Sequence, residues 1–306
     1  MTLPASLIGH AAMLTYSALV AFSFTFGDVV ADDIDPAVLT TLRFIIAAAA
    51  LSLIATALRS GLRDLWISAW RWVILGGLSA AYFITMFEAL RITTTLSTAA
   101  VFTLSPLLAT AVGFGLGGAR PDRLLLVALS LGGIGALWVI FRADIQKLLA
   151  FEIGRGEVLF FFGTLSLAAV PGLTRRLAPG VAPFTAAFGT IIGALGVTAI
   201  YAAPDIVQTD IANLPTAVWL VALYLGLFTT AATFFLLQVA IPRLSPGKVM
   251  AYTYLVPSWV ILHQIVLGRF EPVLVYVGVL FTLAALVVLL MQDLDRRSSP
   301  RRSHTT

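Results

Sequence analysis

One arginine, a set of hydroxyls and aromatic rings, and two prolines stand where the surrounding sequence is almost wholly apolar. Arg43 follows Pro36 by seven residues inside the apolar run 36–58. Seven helical residues span about 10 Å at 1.5 Å each. A central arginine costs ~2.5–3.5 kcal/mol on insertion scales, so it needs a partner. Two readings stand open. In one, Arg43 snorkels, or pairs with Asp28 or Glu88 at neighbouring helix ends and shapes an outer gate. In the other, its guanidinium fork holds a substrate carboxylate.

Ser79, Tyr82 and Met86 fall on one helix face. A tyrosine ring there suits an apolar side chain and its hydroxyl a polar head. Thr98, Phe102 and Ser105 share a stripe with Thr95. Beside it Pro106 removes an N–H and frees the carbonyl of Phe102, as Pro257 does for Thr253. The two prolines are candidate hinges. Tyr252, Val256, Trp259 and His263 would form one continuous helix face, with Tyr254, Ser258 and Gln264 off it. Tyr16, Thr164 and Gln238 complete the candidate lining. The plain alternative for the rings is packing, and for the hydroxyls a bond to a carbonyl of their own helix. His10 is expected at the membrane interface, and Lys248 to snorkel without a role.

Other chemistry is excluded by what is missing. No HExxH, GxSxG or acidic cluster supports an enzyme. The chain has no cysteine, which removes disulfides and thiolate metal sites. No metal and no cofactor are expected. A nucleotide-sugar or phosphate-ester carrier would want paired cations, and only Arg43 and Lys248 could supply them.

The elements that must position these residues follow from composition. Of 306 residues 59% are hydrophobic and 11% charged, with mean hydropathy +0.99. Such a chain needs a bilayer, and each span takes about 20 apolar residues. Ten runs qualify: 6–28, 36–58, 66–90, 95–117, 121–141, 156–177, 182–203, 216–240, 246–267 and 271–292. The segment 142–155 divides five from five, giving a first half over 1–150 and a second over 151–292. The basic stretch 293–306 is expected to be a disordered tail facing anionic lipid, not nucleic acid. With the N-terminus cytoplasmic, thirteen basic residues fall inside and five outside. Both termini are therefore expected in the cytoplasm and the protein in the plasma (inner) membrane.

The second half echoes the first. At an offset of 151 residues, Ala89-Leu90 meets Ala240-Ile241, Pro106 meets Pro257, and Leu116-Gly117 meets Leu267-Gly268. Five spans is an odd number, so two such repeats insert with opposite topology and enclose a path at their interface. The expected fold is all-α and integral to the membrane, ten helices in two inverted five-helix repeats around a central cavity.

This order of motifs resembles the drug/metabolite transporter superfamily, in particular its EamA-type ten-helix exporters, over residues 6–292. Each half there carries a mid-helix proline, a Leu-Gly-Glu-like helix end and a Gly-rich helix, here Gly132-Gly133-Ile134-Gly135 in the first half. The family's glutamate is replaced by Gly118 and Arg269. The resemblance implies export of amino acids, related metabolites or drugs, and amino acids are the leading expectation. The expected partners are a small-molecule substrate and the lipid bilayer, and a monomer should suffice. No acid falls near mid-membrane, which favours uniport. Proton-coupled antiport through His263 or Glu88 is the alternative.

Overall fold

The computed structural model describes residues 4–28, 30, 33–57, 65, 68–93, 95–151, 153–266, 268 and 270–298, without the side chains of 22–28, 95, 96 and 295–298. The side chain of Asp28, Arg269 and the tail beyond 298 therefore lie outside the described residues.

Ten helical spans follow the apolar runs. They are α1 (Ala5–Asp28), α2 (Pro36–Ala57), α3 (Ala69–Leu90), α4 (Thr95–Phe102 then Ser105–Gly115) and α5 (Arg123–Ile140). The second set is α6 (Arg155–Leu177), α7 (Pro183–Tyr201), α8 (Thr216–Ala240), α9 (Pro246–Val266) and α10 (Val275–Ser298). The last nine are long and apolar enough to cross a membrane, and α1 adds an apolar stretch over Ala5–Ala21. Short helices at Ile145–Leu149 and Ala203–Gln208 sit in the connections.

Local chemistry sets the helix ends. Pro36, Pro183 and Pro246 each open a span, where their missing N–H costs nothing. The Asp35 carboxylate accepts from the N–H of Ala37 at 2.7 Å, and that of Asp122 from Leu125 at 2.7 Å. The duplicated Leu-Gly also has a physical meaning. Gly117 and Gly268 take φ of +86° and +75°, the left-handed turn that ends a helix and favours glycine. The N–H of Gly118 closes that turn onto the Gly113 carbonyl at 3.0 Å.

Three spans depart from straight α-helix. α4 breaks at Thr103-Leu104, and α9 passes through a 3₁₀ turn at Tyr252–Leu255, each just before its proline. The third departure is a π-helical segment, Leu227–Ala232, inside α8.

The packing obeys the inverted repeat. α1 lies against α8 and α6 against α3; α3 packs on α7 and α8 on α2; α4 meets α9 and α5 meets α10. Each partnership has its counterpart when the halves are exchanged. The direction reverses as well. Gly9, near the start of α1, abuts Leu244 just beyond α8, and Arg175, near the finish of α6, donates to the Ile241 and Leu244 carbonyls. The start of α1 and the finish of α6 thus share one end of the bundle, called here the termini end.

Two crossings are close enough to require glycine. A Cβ on Gly193 of α7 would sit 1.9 Å from the Trp72 carbonyl oxygen of α3, and one on Gly135 of α5 would sit 2.7 Å from that of Gly278 in α10. Apolar side chains such as Leu53, Val127, Leu220 and Leu280 point outward, as lipid-facing positions do.

Candidate functional site

A cavity of about 480 Å³ lies between the repeats. Its lining runs from Ile34, Pro36 and Arg91, at the end away from the termini, past Tyr254, Val256 and Pro257 at mid-bundle to Leu237 near the finish of α8. Below that floor the termini end is packed with Met13, Leu244, Val249 and Met250, all at most 2% exposed. The cavity lining therefore reaches Arg91 at one end, and the other end is packed shut.

Arg43 supplies its charge. The residue is 8% exposed and meets neither Glu88 nor any other carboxylate among the described residues. Its Nε donates to Thr230 Oγ1 at 2.8 Å, and Nη2 donates to Thr229 Oγ1 at 3.1 Å and to the Thr229 carbonyl at 3.2 Å. The guanidinium carbon lies 4.8 Å from the Phe83 ring centroid. The π-helical segment makes this receptor possible. Adjacent hydroxyls on an α-helix point about 100° apart. The extra residue in the turn lets Thr229 and Thr230 both bond the Leu225 carbonyl, at 3.0 and 2.9 Å, and face one guanidinium. Gly226 lets α8 approach, since a Cβ there would come 2.6 Å from Ile46. No acceptor among the described residues takes the Nη1 edge of Arg43, which belongs to the cavity wall.

Aromatic rings cluster elsewhere in the wall. Tyr82 has ring centroids of Phe102 at 5.5 Å and Phe160 at 5.7 Å, and those two rings stack at 6.4 Å. Phe83 turns its edge to Tyr82 at 5.1 Å. Tyr16 and Tyr82 line the same cavity as Arg43, and neither hydroxyl bonds another described residue. The cavity thus offers a fixed cation with donor capacity and an apolar aromatic face, and among the described residues no lining side chain is a carboxylate. It can orient a small molecule that has one anionic head and one apolar body.

The sealed end carries a buried polar lock between the two halves. His10 of α1 meets the Tyr252 hydroxyl of α9 through Nδ1 at 2.8 Å and the Asp293 carboxylate of α10 through Nε2 at 3.0 Å. Lys248 of α9 pairs with the other Asp293 oxygen. His10 and Lys248 are 4% and 5% exposed, so these groups depend on one another for solvation.

Sequence-predicted residues separate into two groups. Tyr16, Tyr82, Met86, Thr98, Phe102, Arg43 and Pro257 line the cavity, and Ser79 does so beside them. Ser105, Thr164, Gln238, Tyr252, Trp259, His263 and Pro106 do not. Ser105 Oγ donates to the Phe102 carbonyl, so the acceptor freed by Pro106 is satisfied inside its own helix. The Thr253 carbonyl is likewise taken by the Val256 N–H. The 3₁₀ turn also explains why the expected face of α9 is not continuous. Each of its four residues turns about 120° instead of 100°, which aims Tyr252 at His10 while Val256 reaches the cavity. Trp259 donates to Ser17 Oγ at 3.0 Å, and Thr164 and Gln238 are buried between helices.

At the end away from the termini, Glu88 has a different cation from the Arg43 expected. Glu88 pairs with Arg91 at 3.3 Å and accepts from the Tyr201 hydroxyl, and Arg91 also reaches Asp35 at 3.3 Å. Sequence reasoning missed Thr229, Thr230, Thr233, Phe83, Phe160 and Asp293, and gave Lys248 no role. A run of three threonines opposite a lone intramembrane arginine was the signal available for the first three. His10 and Lys248 are corrections, from interfacial groups to buried ones.

Two inverted five-helix bundles around a cavity packed shut at its termini end make the architecture of a membrane transporter. The chain belongs to the EamA-like transporter family, whose model matches it twice, over residues 7–141 and 154–291. A solved structure titled only "Crystal structure of protein" is similar over 94% of this chain and 97% of its own, with 20% identity and a TM-score of 0.75. That likeness concerns the fold. No curated protein matches the chain.

Proposed function

We propose that the protein exports small amphipathic metabolites bearing a carboxylate, amino acids with apolar side chains foremost, from the cytoplasm across the plasma membrane. The observation that carries this reading is Arg43 in the cavity wall, its Nη1 without an acceptor among the described residues, with the Tyr82–Phe102–Phe160 rings in the same wall. The guanidinium takes the carboxylate and the rings take the side chain. The positive-inside count puts the termini in the cytoplasm, so the cavity faces outward, ready for release. Alternating access then opens the lock at His10 and closes the Arg91 gate. A monomer contains the whole path. That no described side chain lining the cavity is a carboxylate supports uniport down the substrate gradient.

Proton-coupled exchange is the second reading. The observation favouring it is the His10–Asp293–Lys248 cluster, a titratable group set at the sealed end.

Competition binding with three related ligands tests the headgroup. Phenylalanine should bind, while its amide and the corresponding amine should bind ~10–100-fold more weakly, the value of a charge-assisted hydrogen bond of ~1.5–3 kcal/mol. Equal affinity for all three would remove the carboxylate from the account.

A further inference from the structure

A second cavity, of about 460 Å³, lies at the termini end, away from the Arg43 site. It is framed by the finish of α4 and its glycine turn, the finish of α6, the start of α9 and Gln292 of α10. Four of its lining residues are basic: Arg120, Arg175, Arg176 and Lys248. Asp122 is its one acid, and its carboxylate already accepts from the Leu125 N–H and from Gln292 Nε2. The wall therefore carries a local excess of positive charge.

Two further observations point to an absent ligand. Ser245 Oγ and Gln292 Oε1 both belong to lining residues, are shut off from solvent and have no hydrogen-bond partner. A buried polar atom without a partner is costly, on the order of 1–3 kcal/mol. The serine can donate, while the amide oxygen can only accept. A ligand satisfying both must bring an acceptor and a hydroxyl or N–H donor together, and the basic side chains around them favour an anionic acceptor. Lys248 forms the floor, 5% exposed, and Arg120 and Arg176 stand exposed at the rim.

We propose that this cavity binds a phosphate group that carries or adjoins a hydroxyl, either a soluble phosphate or the headgroup of an anionic glycerophospholipid. Arginine forks at the rim and the lysine below take the phosphate oxygens, Ser245 donates a further bond, and the ligand hydroxyl donates to Gln292 Oε1. Because Lys248 also holds Asp293, a phosphate here competes for the same ammonium and bears on the lock between α1 and α10.

Full-length protein provides the test in two arms. Native mass spectrometry from nanodiscs of mixed phosphatidylcholine and phosphatidylglycerol counts retained anionic lipid. Thermal unfolding in detergent, with inorganic phosphate against chloride at equal ionic strength, reads the soluble source. The paired variant Arg120→Gln, Arg176→Gln changes only exposed rim residues, and Ser245→Ala removes the buried donor. Either phosphatidylglycerol retention or the phosphate-induced shift should weaken about tenfold in the paired variant, a loss of ~1.4 kcal/mol at the lower edge for hydrogen bonds to charged groups. Which arm responds names the source. No anion preference in either arm, or a preference untouched by both variants, would overturn the proposal.

Discussion

Arg43 is legible in the sequence as a problem but not as a solution. A lone arginine deep in an apolar run demands a partner, and carboxylates at nearby helix ends were the visible choices. The partners are hydroxyls 186 and 187 residues away, presented by a π-helical turn that hydropathy does not reveal. The Ser79–Tyr82–Met86 face was readable because α3 is regular, so spacing translates directly into direction. Two predictions belong at this scale. Arg43→Lys keeps the charge but cannot hold both threonines and still offer a planar fork. Its substrate affinity should fall ~10-fold or more, about the value of one charge-assisted bond, read by the same competition assay. Tyr82→Phe should keep affinity for apolar amino acids within a few-fold, whereas Tyr82→Ala, which removes the ring from the Phe102–Phe160 cluster, should lose far more.

At the scale of elements, the ends of helices were more readable than their interiors. Proline, Asp caps and Leu-Gly turns act within a few residues, so nine of the ten spans begin and finish close to where the sequence places them, whereas α10 starts at Val275 and continues as helix to Ser298, into the stretch 293–306 expected to be a disordered tail. The breaks in α4 and α9 were foreseen from Pro106 and Pro257, but their consequences were not. Ser105 and the 3₁₀ turn satisfy the freed carbonyls locally, which turns Tyr252 away from the cavity. Gly193 tests how tightly the elements cross. Its Cβ would meet the Trp72 carbonyl oxygen at 1.9 Å, and backbone cannot yield as a side chain can. Gly193→Ala should destabilise by about 1–3 kcal/mol, the usual cost of overpacking, and a lowered unfolding temperature in detergent would register it. Gly196, on the same helix with nothing near its Cβ position, should tolerate alanine and serves as the control.

Across the whole molecule, the inverted repeat was visible from an odd number of spans and a faint duplication. What joins the halves was not, because His10 and Asp293 are 283 residues apart and sit in unremarkable helix ends. Their lock makes a prediction about state. Asp293→Asn leaves Lys248 buried without its countercharge, a loss of ~3–5 kcal/mol when one partner of a buried pair is removed. The sealed end should then open. The chain has no native cysteine, so Met250→Cys can report it. That thiol should be protected from a water-soluble maleimide when the lock is intact and labelled rapidly when Asp293→Asn is added. Equal protection in both would mean that the lock does not hold the sealed end.

These scales meet in the proposed transport cycle, in which a carboxylate-bearing amphiphile held by Arg43 crosses between the two repeats without an ion. Counterflow of labelled phenylalanine in proteoliposomes, with equal pH on both sides, measures it most directly. The account predicts counterflow that needs no pH gradient and falls ~10–100-fold in Arg43→Leu. Exchange that vanishes without a pH gradient, or that survives Arg43→Leu at full rate, would contradict it.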